Sequence, residues 1–586
     1  MTSASPRQPV SPVQASQGRP TVELHLPDGR VLEGPRGAPL EDFVHDLPGF
    51  PETIVGGIVN GELRELTYPI EMEARLRPVT LGEPDGMRIY RRSLTFLLAA
   101  AFEELFPGAW LTVDHSVSSG GYFCQVKGRP QLTPADLDRL EARMRELVEQ
   151  NLPFGKIQVP LEEAIEDFRR RGFVDKVRLL RHRRKPWLVL YTLGEHRDYH
   201  HGYMLPRTGY LKIFGLTPTE GGFTLRFPRR HAPTRLLPLP DYPKLLATFR
   251  QYGDWLERLD ISFAGALNDA IQDGRGAQVV LVSEALHELH ISQIAGEIAR
   301  RQDEVRVVLI AGPSASGKTT FAKRLSVQLL ARGVRPFALE LDSFFVDRPA
   351  TPRDENGAYD FESLEALDRA RLNHDLQALI AGRQVRLPRY DFVRGVQEEG
   401  PLARLEPGQV LLLEGIHGLN PDLTPNLPRA QTFRVYVSAL TQLNLDRYNR
   451  VSTTDTRLIR RIVRDAAQRG YSASETIQRW ESVRRGEKRY IFPFQENADV
   501  MFNSALVYEA SALAPLAEPL LRQVPFGTPE HVEAKRLLAF LEWFLPLPPD
   551  LVPDNSLLRE FIGRSIFEGF RPWASPSAPA DRAATV

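Results

Sequence analysis

VVLIAGPSASGKTT, residues 307–320, is an apolar run that leads into a complete G-x-x-x-x-G-K-T loop. An apolar helical stripe from Phe321 to Leu330 follows, so the loop lies between a predicted strand and a predicted helix. In such a loop the backbone N–H groups turn around phosphate, Lys318 can reach the β- and γ-phosphates, and the Thr319 hydroxyl can bind Mg²⁺. The sequence therefore predicts a nucleotide site made of Gly312, Pro313, Ser314, Ala315, Ser316, Gly317, Lys318, Thr319 and Thr320.

Two carboxylates follow further strand patterns. Asp342 comes after the apolar run Phe337 to Leu341, at the carboxyl end of a predicted parallel strand. A carboxylate there can accept the proton of an acceptor hydroxyl, although it can also simply cap the next turn. Glu414 ends the buried-strand pattern that begins at Val410, and it is the expected partner of Thr319 in holding Mg²⁺. Together these features predict an α/β domain with a parallel sheet.

An arginine-dense stretch follows the predicted strands. Spacings of three and four residues place Arg457, Arg461 and Arg464 near one helix face. Like charges repel unless they meet anions, which favours a lid that closes on phosphate. A solvated helix surface is the alternative.

The length and composition of the chain limit its number of domains and its cellular location. At 586 residues the chain is long enough for three or four domains. Lysine plus arginine and aspartate plus glutamate both total 74, so only local patches could attract nucleic acid or membrane. A single cysteine, Cys124, excludes an internal disulfide and favours a reducing, cytoplasmic location, and no apolar run is long enough to span a bilayer. Residues 1–20, rich in Ser, Pro and Gln, are predicted to form a disordered tail.

Residues 21–82 form a predicted small domain. Val22 begins an alternating strand pattern, Asp28-Gly29 and Asn60-Gly61 are tight-turn pairs, and Leu40–Leu47 can form one helix. Two hairpins around one helix indicate a β-grasp. The unit resembles the TGS domain of threonyl-tRNA synthetases and some GTPases.

Residues 88–216 form a second predicted unit, of α+β type. It has an amphipathic helix at Ser93–Phe106, another helix at Leu137–Leu152, and the segment HHGYMLPRTG at 200–209. The order of these elements and the sequence of this last segment resemble the editing domain of threonyl-tRNA synthetases. That family carries H-x-x-x-H early and C-x-x-x-H late, and these four positions fall here on Arg92, Phe96, His200 and Met204. Since three of the four ligands are absent, neither editing activity nor a zinc site is expected.

Two surfaces of this unit leave alternatives open. His196, His200 and His201 could share a metal, or they could be polar residues of a surface or groove. The basic runs 169–171 and 181–185 could bind RNA or a ribosome-linked partner, or they could be solvated faces. Residues 217–301 are predicted to be a Pro-interrupted, then helical connector that docks the N-terminal half on the P-loop domain, with Leu286, Leu289 and Ile291 on its apolar stripe.

From about Val305 to Asn503 the chain resembles the uridine kinase/phosphoribulokinase family. The matching parts are, in order, the P-loop, DSFF at 342–345, YDFESLEALD at 359–368, PRYDF at 388–392, EG at 414–415, RRIVRD at 460–465 and RG at 469–470. With its two N-terminal units the chain resembles a bacterial class of uridine kinase-like nucleoside kinases. The implied fold is a P-loop kinase domain at 302–510, followed by a helical extension at 511–586.

This resemblance implies roles at the phosphate end. ATP would occupy the loop, Lys318 would stabilise the transferred group, and Asp342 would be the base for a ribose 5′-hydroxyl. Arg464 would act in catalysis and, with Arg469, contact the phosphates of ATP. Thr319 and Glu414 would hold Mg²⁺.

The same resemblance implies roles at the acceptor end. Glu362 would grip the ribose hydroxyls, Arg461 would hold the sugar, and Phe361 and Tyr390 would flank the base. Two departures weaken base recognition: the family's histidine that reads the pyrimidine edge falls on Gly395, and an arginine falls on Tyr471.

Three functions are compatible with these features. The first is an ATP-dependent kinase for a primary hydroxyl of a nucleoside or a similar sugar alcohol. The second is a sugar-phosphate kinase of the phosphoribulokinase type. The third is an RNA-binding or translation-linked regulator that uses ATP as a switch; Asp342 argues against it, because a switch needs no acceptor base. The acceptor, the role of the N-terminal units and a homo-oligomeric state stay open.

Overall fold

The computed structural model describes residues 18–50, 52–117, 120–355, 357–441 and 443–570. Most of the predicted disordered tail, residues 1–17, lies outside these ranges. The strands are β1 Thr21–His25, β2 Val31–Pro35, β3 Ile54–Val59, β4 Glu62–Glu65, β5 Ala74–Thr80, β6 Trp110–Val117, β7 Gly121–Lys127, β8 Gly155–Pro160, β9 Trp187–Leu193, β10 His196–Asp198, β11 Gly215–Thr219, β12 Gly222–Arg226, β13 Val307–Ala311, β14 Arg335–Glu340, β15 Val385–Asp391, β16 Val396–Ala403, β17 Gln409–Glu414, β18 Thr432–Ser438 and β19 Val500–Asn503. The helices are α1 Leu40–Val44, α2 Pro84–Leu105, α3 Pro134–Glu149, α4 Leu161–Arg170, α5 Val174–Arg181, α6 Pro243–Arg258, α7 Ala264–Gln272, α8 Gly276–Arg300, α9 Lys318–Leu330, α10 Arg369–Ile380, α11 Thr453–Gln468, α12 Ala473–Tyr490, α13 Glu509–Arg522, α14 Pro529–Leu541 and α15 Arg559–Ile562.

The first unit is a five-stranded mixed sheet in the order β2-β1-β5-β3-β4. Two hairpins, β1–β2 and β3–β4, flank β5, which pairs parallel with β1 and antiparallel with β3. Helix α1 buries Leu40 and Val44 against this sheet. The helix ends at Val44, three residues earlier than the apolar pattern predicts.

Helix α2 is the central helix of the second unit. Every residue from Ser93 to Phe102 is buried. The helix predicted at Ser93–Phe106 is therefore present, but over this stretch it is not amphipathic. Pro84 begins the helix, where its missing N–H and fixed φ are tolerated. Helix α3 also begins before its predicted start, because Thr133 and Asp136 form a capping box.

The sheet of the second unit extends beyond its predicted end at residue 216. Strands β11 and β12 continue the order β11-β12-β7-β6, and Phe223 pairs with Cys124 in the register of β12 and β7. Residues 217–226 therefore belong to this sheet and not to the connector. The amphipathic signal of these short strands is interrupted by Gly221-Gly222, which obscures it in the sequence.

The third sheet is parallel, in the order β14-β17-β13-β18-β19. Strand β13 is buried at every position, and so are the first five residues of β17, as expected for a sheet with helices on both faces. Helices α7, α8, α13, α14 and α15 contribute to the hydrophobic core on one side of it. One predicted core residue of α8, Leu289, is instead 54% exposed. No helix in the described ranges is both long and apolar enough to cross a membrane.

Candidate active site

The candidate site lies where neighbouring parallel strands end. The loop 312–317 follows β13, Glu414 is the last residue of β17, and Asp342 comes two residues after β14. Because these strands are adjacent in the sheet, their carboxyl ends bring the loop and both carboxylates to one edge. This is the edge where open α/β sheets bind ligands.

The loop has the backbone shape of a phosphate cradle. Ala315 and Gly317 have positive φ angles of 56° and 86°, a conformation that glycine adopts without strain. A Cβ on Gly312 would lie 1.9 Å from the carbonyl oxygen of Val437, so only glycine fits there. Both glycines of the motif are therefore required by the fold.

Thr319 and Glu414 are in direct contact. The Thr319 hydroxyl donates to Glu414 Oε2 at 3.0 Å, and Lys318 Nζ lies 4.0 Å from Glu414 Oε1. Burial raises the pKa of Glu414 to about 7, although Lys318 opposes the shift. A hydroxyl and a carboxylate oxygen side by side are the hard oxygen ligands that Mg²⁺ takes, so the donor set fits this ion.

Asp342 has its carboxylate in the cleft beside these groups. It is solvent-exposed, and it makes no hydrogen bond within the part of the chain that the structure describes. Surrounding protein nonetheless raises the pKa of Asp342 by desolvation, while Lys318 and Arg469 act in the opposite direction. A carboxylate without an internal partner is available to a ligand hydroxyl.

The arginines of α11 divide into two groups, and the predicted stripe of Arg457, Arg461 and Arg464 is wrong for Arg457, which is buried. Arg457 and Arg460 are fully buried, pair with Glu487 and Glu509, and reach the loop carbonyls of residues 314 and 315 at 3.0 and 3.4 Å. They hold the loop through its carbonyl groups. Their acidic partners lie on other helices, which helical spacing cannot reveal.

The second group faces the front of the loop. Arg461 Nη1 donates to the Ser314 hydroxyl at 3.0 Å, and its Nε donates to Asp465 at 3.2 Å. Arg464 also binds Asp465, at 2.8 Å, and Arg469 lies 3.7 Å from it. Asp465 thus gathers three arginines beside the loop, where phosphate would compete for them.

Glu362 lies against helix α12. A Cβ on Gly486 would be 2.3 Å from Glu362 Cβ, so this glycine allows the helix to approach the acid. Burial and then the nearby Glu487 raise the pKa of Glu362 to about 7, against the opposing charges of Arg461 and Lys318.

An aromatic cluster lines the other side of the cleft. Phe345 packs edge-on against Phe361 at 5.9 Å and against Tyr390 at 5.6 Å between ring centroids. Phe392, which the sequence analysis did not select, contacts Tyr390 at 5.1 Å and is 60% exposed. Tyr390 and Phe361 thus share Phe345 as a common neighbour, and Phe392 offers the most open ring.

The Arg348 side chain fills the space that a side chain at position 395 would take. A Cβ there would lie 2.6 Å from Arg348 Nε, and Arg348 Nη2 donates to the carbonyl of Phe392 at 2.6 Å. Gly395 therefore offers no open space, contrary to what the missing side chain suggests. Tyr471 is also engaged, since the guanidinium of Arg479 stacks 4.1 Å from its ring centre. Arg348 lies 47 positions before Gly395, so no local motif relates the two.

Two further acids approach the loop from distant segments. Glu487 Oε1 accepts from the N–H of Ser314 at 3.0 Å, and Glu560 Oε2 accepts from the N–H of Thr320 at 3.1 Å. Leu557 packs directly on Gly317. The C-terminal segment thus covers the beginning of α9, which is where a P-loop presents N–H groups to phosphate.

The histidines of the second unit do not form the trio that the sequence suggests. Among the described residues the one group that could hold a metal is Glu103, His196 and Asp198, whose ligand atoms lie within 4.8 Å of one another. Lys176 Nζ lies 2.8 Å from Asp198 Oδ1, which supplies the positive charge that a metal would bring. The ring of Phe96 contacts both His196 and His200, and burial lowers the pKa of His200.

Comparison with known families identifies two domains. Residues 307–509 match the model of the Phosphoribulokinase / Uridine kinase family, and residues 22–80 match that of the TGS domain. The chain therefore carries a P-loop kinase domain and a TGS domain, which confirms the predicted family resemblance and fold class.

Curated relatives resemble the N-terminal region. The threonine–tRNA ligase of Nitrosococcus oceani is 35% identical over 204 residues, which is 34% of this chain and 31% of the relative. The ligase of Symbiobacterium thermophilum is 34% identical over 204 residues, with the same coverage. The chain thus spans about a third of the length of the curated relatives it matches.

Solved structures align with about a third of the chain. A putative fructose transport system kinase from Silicibacter sp. TM1040 has 16% identity and a TM-score of 0.25, and covers 36% of this chain and 98% of its own. A possible uridine kinase from Bacillus stearothermophilus has 20% identity and a TM-score of 0.24, and covers 35% and 99%.

Proposed function

We propose that this chain, whose residues 307–509 form a domain of the Phosphoribulokinase / Uridine kinase family, is an ATP-dependent kinase for a primary hydroxyl of a nucleoside or a similar sugar alcohol. One observation carries the proposal. The Asp342 carboxylate has no hydrogen-bond partner among the described residues, and it stands at the same sheet edge as Lys318 and the Thr319–Glu414 pair. A nucleotide switch has no need of such a group, whereas hydroxyl phosphorylation does.

The residues divide the reaction between them. The acceptor oxygen forms a bond to the γ-phosphorus of ATP, the bond from that phosphorus to the β-phosphate bridging oxygen breaks, and ADP leaves. Asp342 accepts the proton of the attacking hydroxyl. Lys318 offsets the negative charge on the transferred group. Thr319 and Glu414 would hold Mg²⁺, which supplies charge neutralisation at the phosphates when it is bound.

Three arginines around Asp465 complete the phosphate end. The Asp465 carboxylate binds Arg464 and lies 3.7 Å from Arg469, so it orients the Arg464 guanidinium for the phosphates of ATP. Arg461 bridges this group to the loop through Ser314. We assign Arg461 to the junction between phosphate and sugar.

Glu362 and the aromatic cluster form the acceptor end. An ionised Glu362 can accept hydrogen bonds from two neighbouring sugar hydroxyls. Phe361 and Phe392 offer exposed ring surfaces for a base, and the buried Tyr390 packs against Phe392. Stacking contributes about 1–3 kcal/mol per base whatever the base. With Gly395 and Tyr471 in place of polar readers, base preference is expected to be weak.

Arg348 favours a second candidate function, phosphorylation of an anionic acceptor. Its guanidinium is fixed beside the aromatic cluster by the Phe392 carbonyl, and a fixed guanidinium suits a phosphate group. A sugar phosphate is therefore the competing acceptor class.

The TGS domain and the resemblance to threonine–tRNA ligases further support an RNA- or translation-linked partner for the N-terminal units.

An acceptor panel tests the proposal. Purified chain is assayed for ADP and phosphorylated product with MgATP and uridine, cytidine, adenosine, guanosine, inosine or a pentose phosphate. We expect turnover with several nucleosides at similar kcat/KM. A pentose phosphate that wins, and loses its advantage in Arg348→Gln, would establish the second candidate. Uridine ahead by more than about a thousandfold would mean that other residues read the base, since stacking cannot supply such a gap.

A further inference from the structure

A basic cavity lies between the second unit and the kinase domain. It holds about 800 Å³, and its walls come from α2, the segment after β12, the N-terminal part of α11, helix α12 and α14. Ten arginine and lysine side chains line it, against three aspartate and glutamate side chains. Such an excess contrasts with the chain as a whole, whose charges balance.

Six of these cations form no salt bridge within the part of the chain that the structure describes, although Glu481 acts on Arg484 and Lys488 from a greater distance. Arg88, Arg230, Arg457 and Arg536 form salt bridges with nearby carboxylates. No salt bridge within the described ranges involves the remaining six, which are Arg91, Arg92, Arg229, Arg450, Arg484 and Lys488. The Nε atoms of Arg91 and Arg450 are moreover buried without a hydrogen-bond partner.

The unpaired cations repel one another across the domain boundary. Desolvation is the main cause that lowers the pKa of Arg91 and of Arg484 to about 10, and that of Lys488 to about 7. Like charges add to it: Arg229 and Arg450 act on Arg91, while Arg484, Arg230 and Arg229 act on Lys488. Half-buried, unpaired cations that converge on one volume destabilise the empty protein.

We propose that this cavity is a second anion site, which binds a compact polyphosphate group such as that of a nucleoside di- or triphosphate. Arginine clusters recognise phosphate through bidentate, charge-assisted hydrogen bonds. The volume lies within the range of small-molecule pockets, about 300–1,000 Å³. The half-buried ring of Tyr122, which lies under Arg450, gives a base a surface to stack on.

The cavity is separate from the catalytic cleft. Lys318, Thr319 and Asp342 are not among its walls, and the P-loop contributes only Pro313. The buried Arg457–Glu487 pair stands between the two sites, and Glu487 also binds the N–H of Ser314. The Arg457–Glu487 ion pair thus connects the cavity to the P-loop.

A compact ligand fits this arrangement better than a nucleic-acid strand does. The unpaired cations line one compact cavity from two domains, whereas a strand is bound along an extended basic groove. A large number of cations in a small volume matches several closely spaced negative charges. Free polyphosphate and nucleotides share that chemistry.

Calorimetric titration with inorganic tripolyphosphate in magnesium-free buffer tests the proposal. We compare the full chain with Arg484→Gln and with Arg489→Gln, an exposed arginine on the same helix that does not line the cavity. Arg484→Gln is expected to weaken binding by about tenfold or more, as loss of a charged hydrogen bond requires. Arg489→Gln should leave the Kd within about twofold. Nucleoside triphosphates and a short RNA are titrated in parallel.

Two readouts separate ligand binding from a structural role and from the P-loop. Ligand-free Arg484→Gln should melt at a higher temperature than the parent chain, because an unpaired cation is removed, and a lower melting temperature would show that Arg484 stabilises the fold. In the Lys318→Ala background tripolyphosphate should still bind, and Arg484→Gln should still weaken that binding by about tenfold or more. Loss of binding in Lys318→Ala alone, equal effects of Arg484→Gln and Arg489→Gln, or binding of the RNA without tripolyphosphate would each overturn the proposal.

Discussion

Glu362 and Asp342 are carboxylates that the fold keeps without a salt bridge, as far as the described residues show. Desolvation by the surrounding protein raises the pKa of both, for Glu362 to about 7. Glu362 therefore changes charge near neutral pH, and only its ionised form accepts hydrogen bonds at both oxygens without donating one. The roles proposed for them differ, since Glu362 would bind sugar hydroxyls and Asp342 the attacking hydroxyl, so variants of the two should separate effects on acceptor binding from effects on turnover.

For Glu362 we expect an acceptor KM that falls as the pH rises through about 7, because the ionised carboxylate binds hydroxyls better. Glu362→Gln should remove this pH dependence while saturating MgATP is held constant. The raised pKa also means that the folded chain keeps this proton above 4.5, the ordinary value, so Glu362 lowers stability progressively from there to about pH 7. Glu362→Gln should accordingly raise the melting temperature more at pH 8 than at pH 5. An unchanged KM profile in the variant would assign the titration to another group.

Zinc is not expected to matter for the second unit. The Lys176 ammonium already pairs with Asp198 at 2.8 Å and with Asp446 at 3.2 Å, and a metal would have to displace it. With Mg²⁺ in excess, a zinc-selective chelator should change neither the melting temperature nor kinase activity. Stoichiometric zinc in chain purified without added metal would contradict this, and Lys176→Met would then be expected to bind it more tightly.

At the scale of elements, the C-terminal segment is the part of the site that no sequence motif predicts. Helix α15 places Glu560 on the N–H of Thr320, and Lys323 Nζ donates to the carbonyl of Phe567 at 3.0 Å. The carboxylate occupies a donor at the beginning of α9, where a phosphate would otherwise be favoured. The segment therefore competes with a nucleotide phosphate for the same end of the helix.

Glu560→Gln is expected to tighten ATP binding by about two- to fivefold, the worth of one charge at a helix terminus. Glu568→Gln, an acid in the same segment away from the loop, serves as the control. Fluorescence titration with an ATP analogue measures both. Weaker binding in Glu560→Gln would mean that this carboxylate shapes the loop and does not compete with phosphate.

The elements also show how far sequence alone reaches. The two glycines of the P-loop, Lys318 and Thr319 lie within eight positions of one another. The order of strand, loop and helix could therefore be predicted from this short stretch alone. Burial of Arg457 and Arg460 could not, because their partners Glu487 and Glu509 lie 30 and 49 residues away. The filling of the Gly395 space by Arg348 is likewise a contact between separate segments, and a single sequence carries no signal for it.

At the scale of the whole molecule, buried ion pairs join the N-terminal units to the kinase domain. Asp175 of α5 binds the backbone N–H of Arg447 at 2.9 Å and its guanidinium at 2.6 Å. The Arg447 guanidinium lies between the rings of Trp110 and Phe173, at 3.6 and 3.8 Å. Partners 272 residues apart thus form one interface.

Asp175→Ala should lower the free energy of unfolding by about 3–5 kcal/mol, because it leaves Arg447 buried without a counter-charge. Calorimetry should show one transition at a lower temperature, with both halves melting together. Asp138→Ala, in α3, is the control. Two separate transitions in the parent chain would contradict a shared interface.

Phosphoryl transfer by the parent chain and by Asp342→Asn tests the proposed activity most directly. With MgATP and the best acceptor of the panel, Asp342→Asn should lower kcat by about 10²–10⁴ and leave the Kd for ATP within about twofold, because the carboxylate acts on the acceptor proton. Glu355→Gln, an exposed acid on the neighbouring segment, should behave like the parent. An unchanged kcat in Asp342→Asn, or a parent chain that binds ATP and phosphorylates no hydroxyl of the panel, would contradict the kinase assignment.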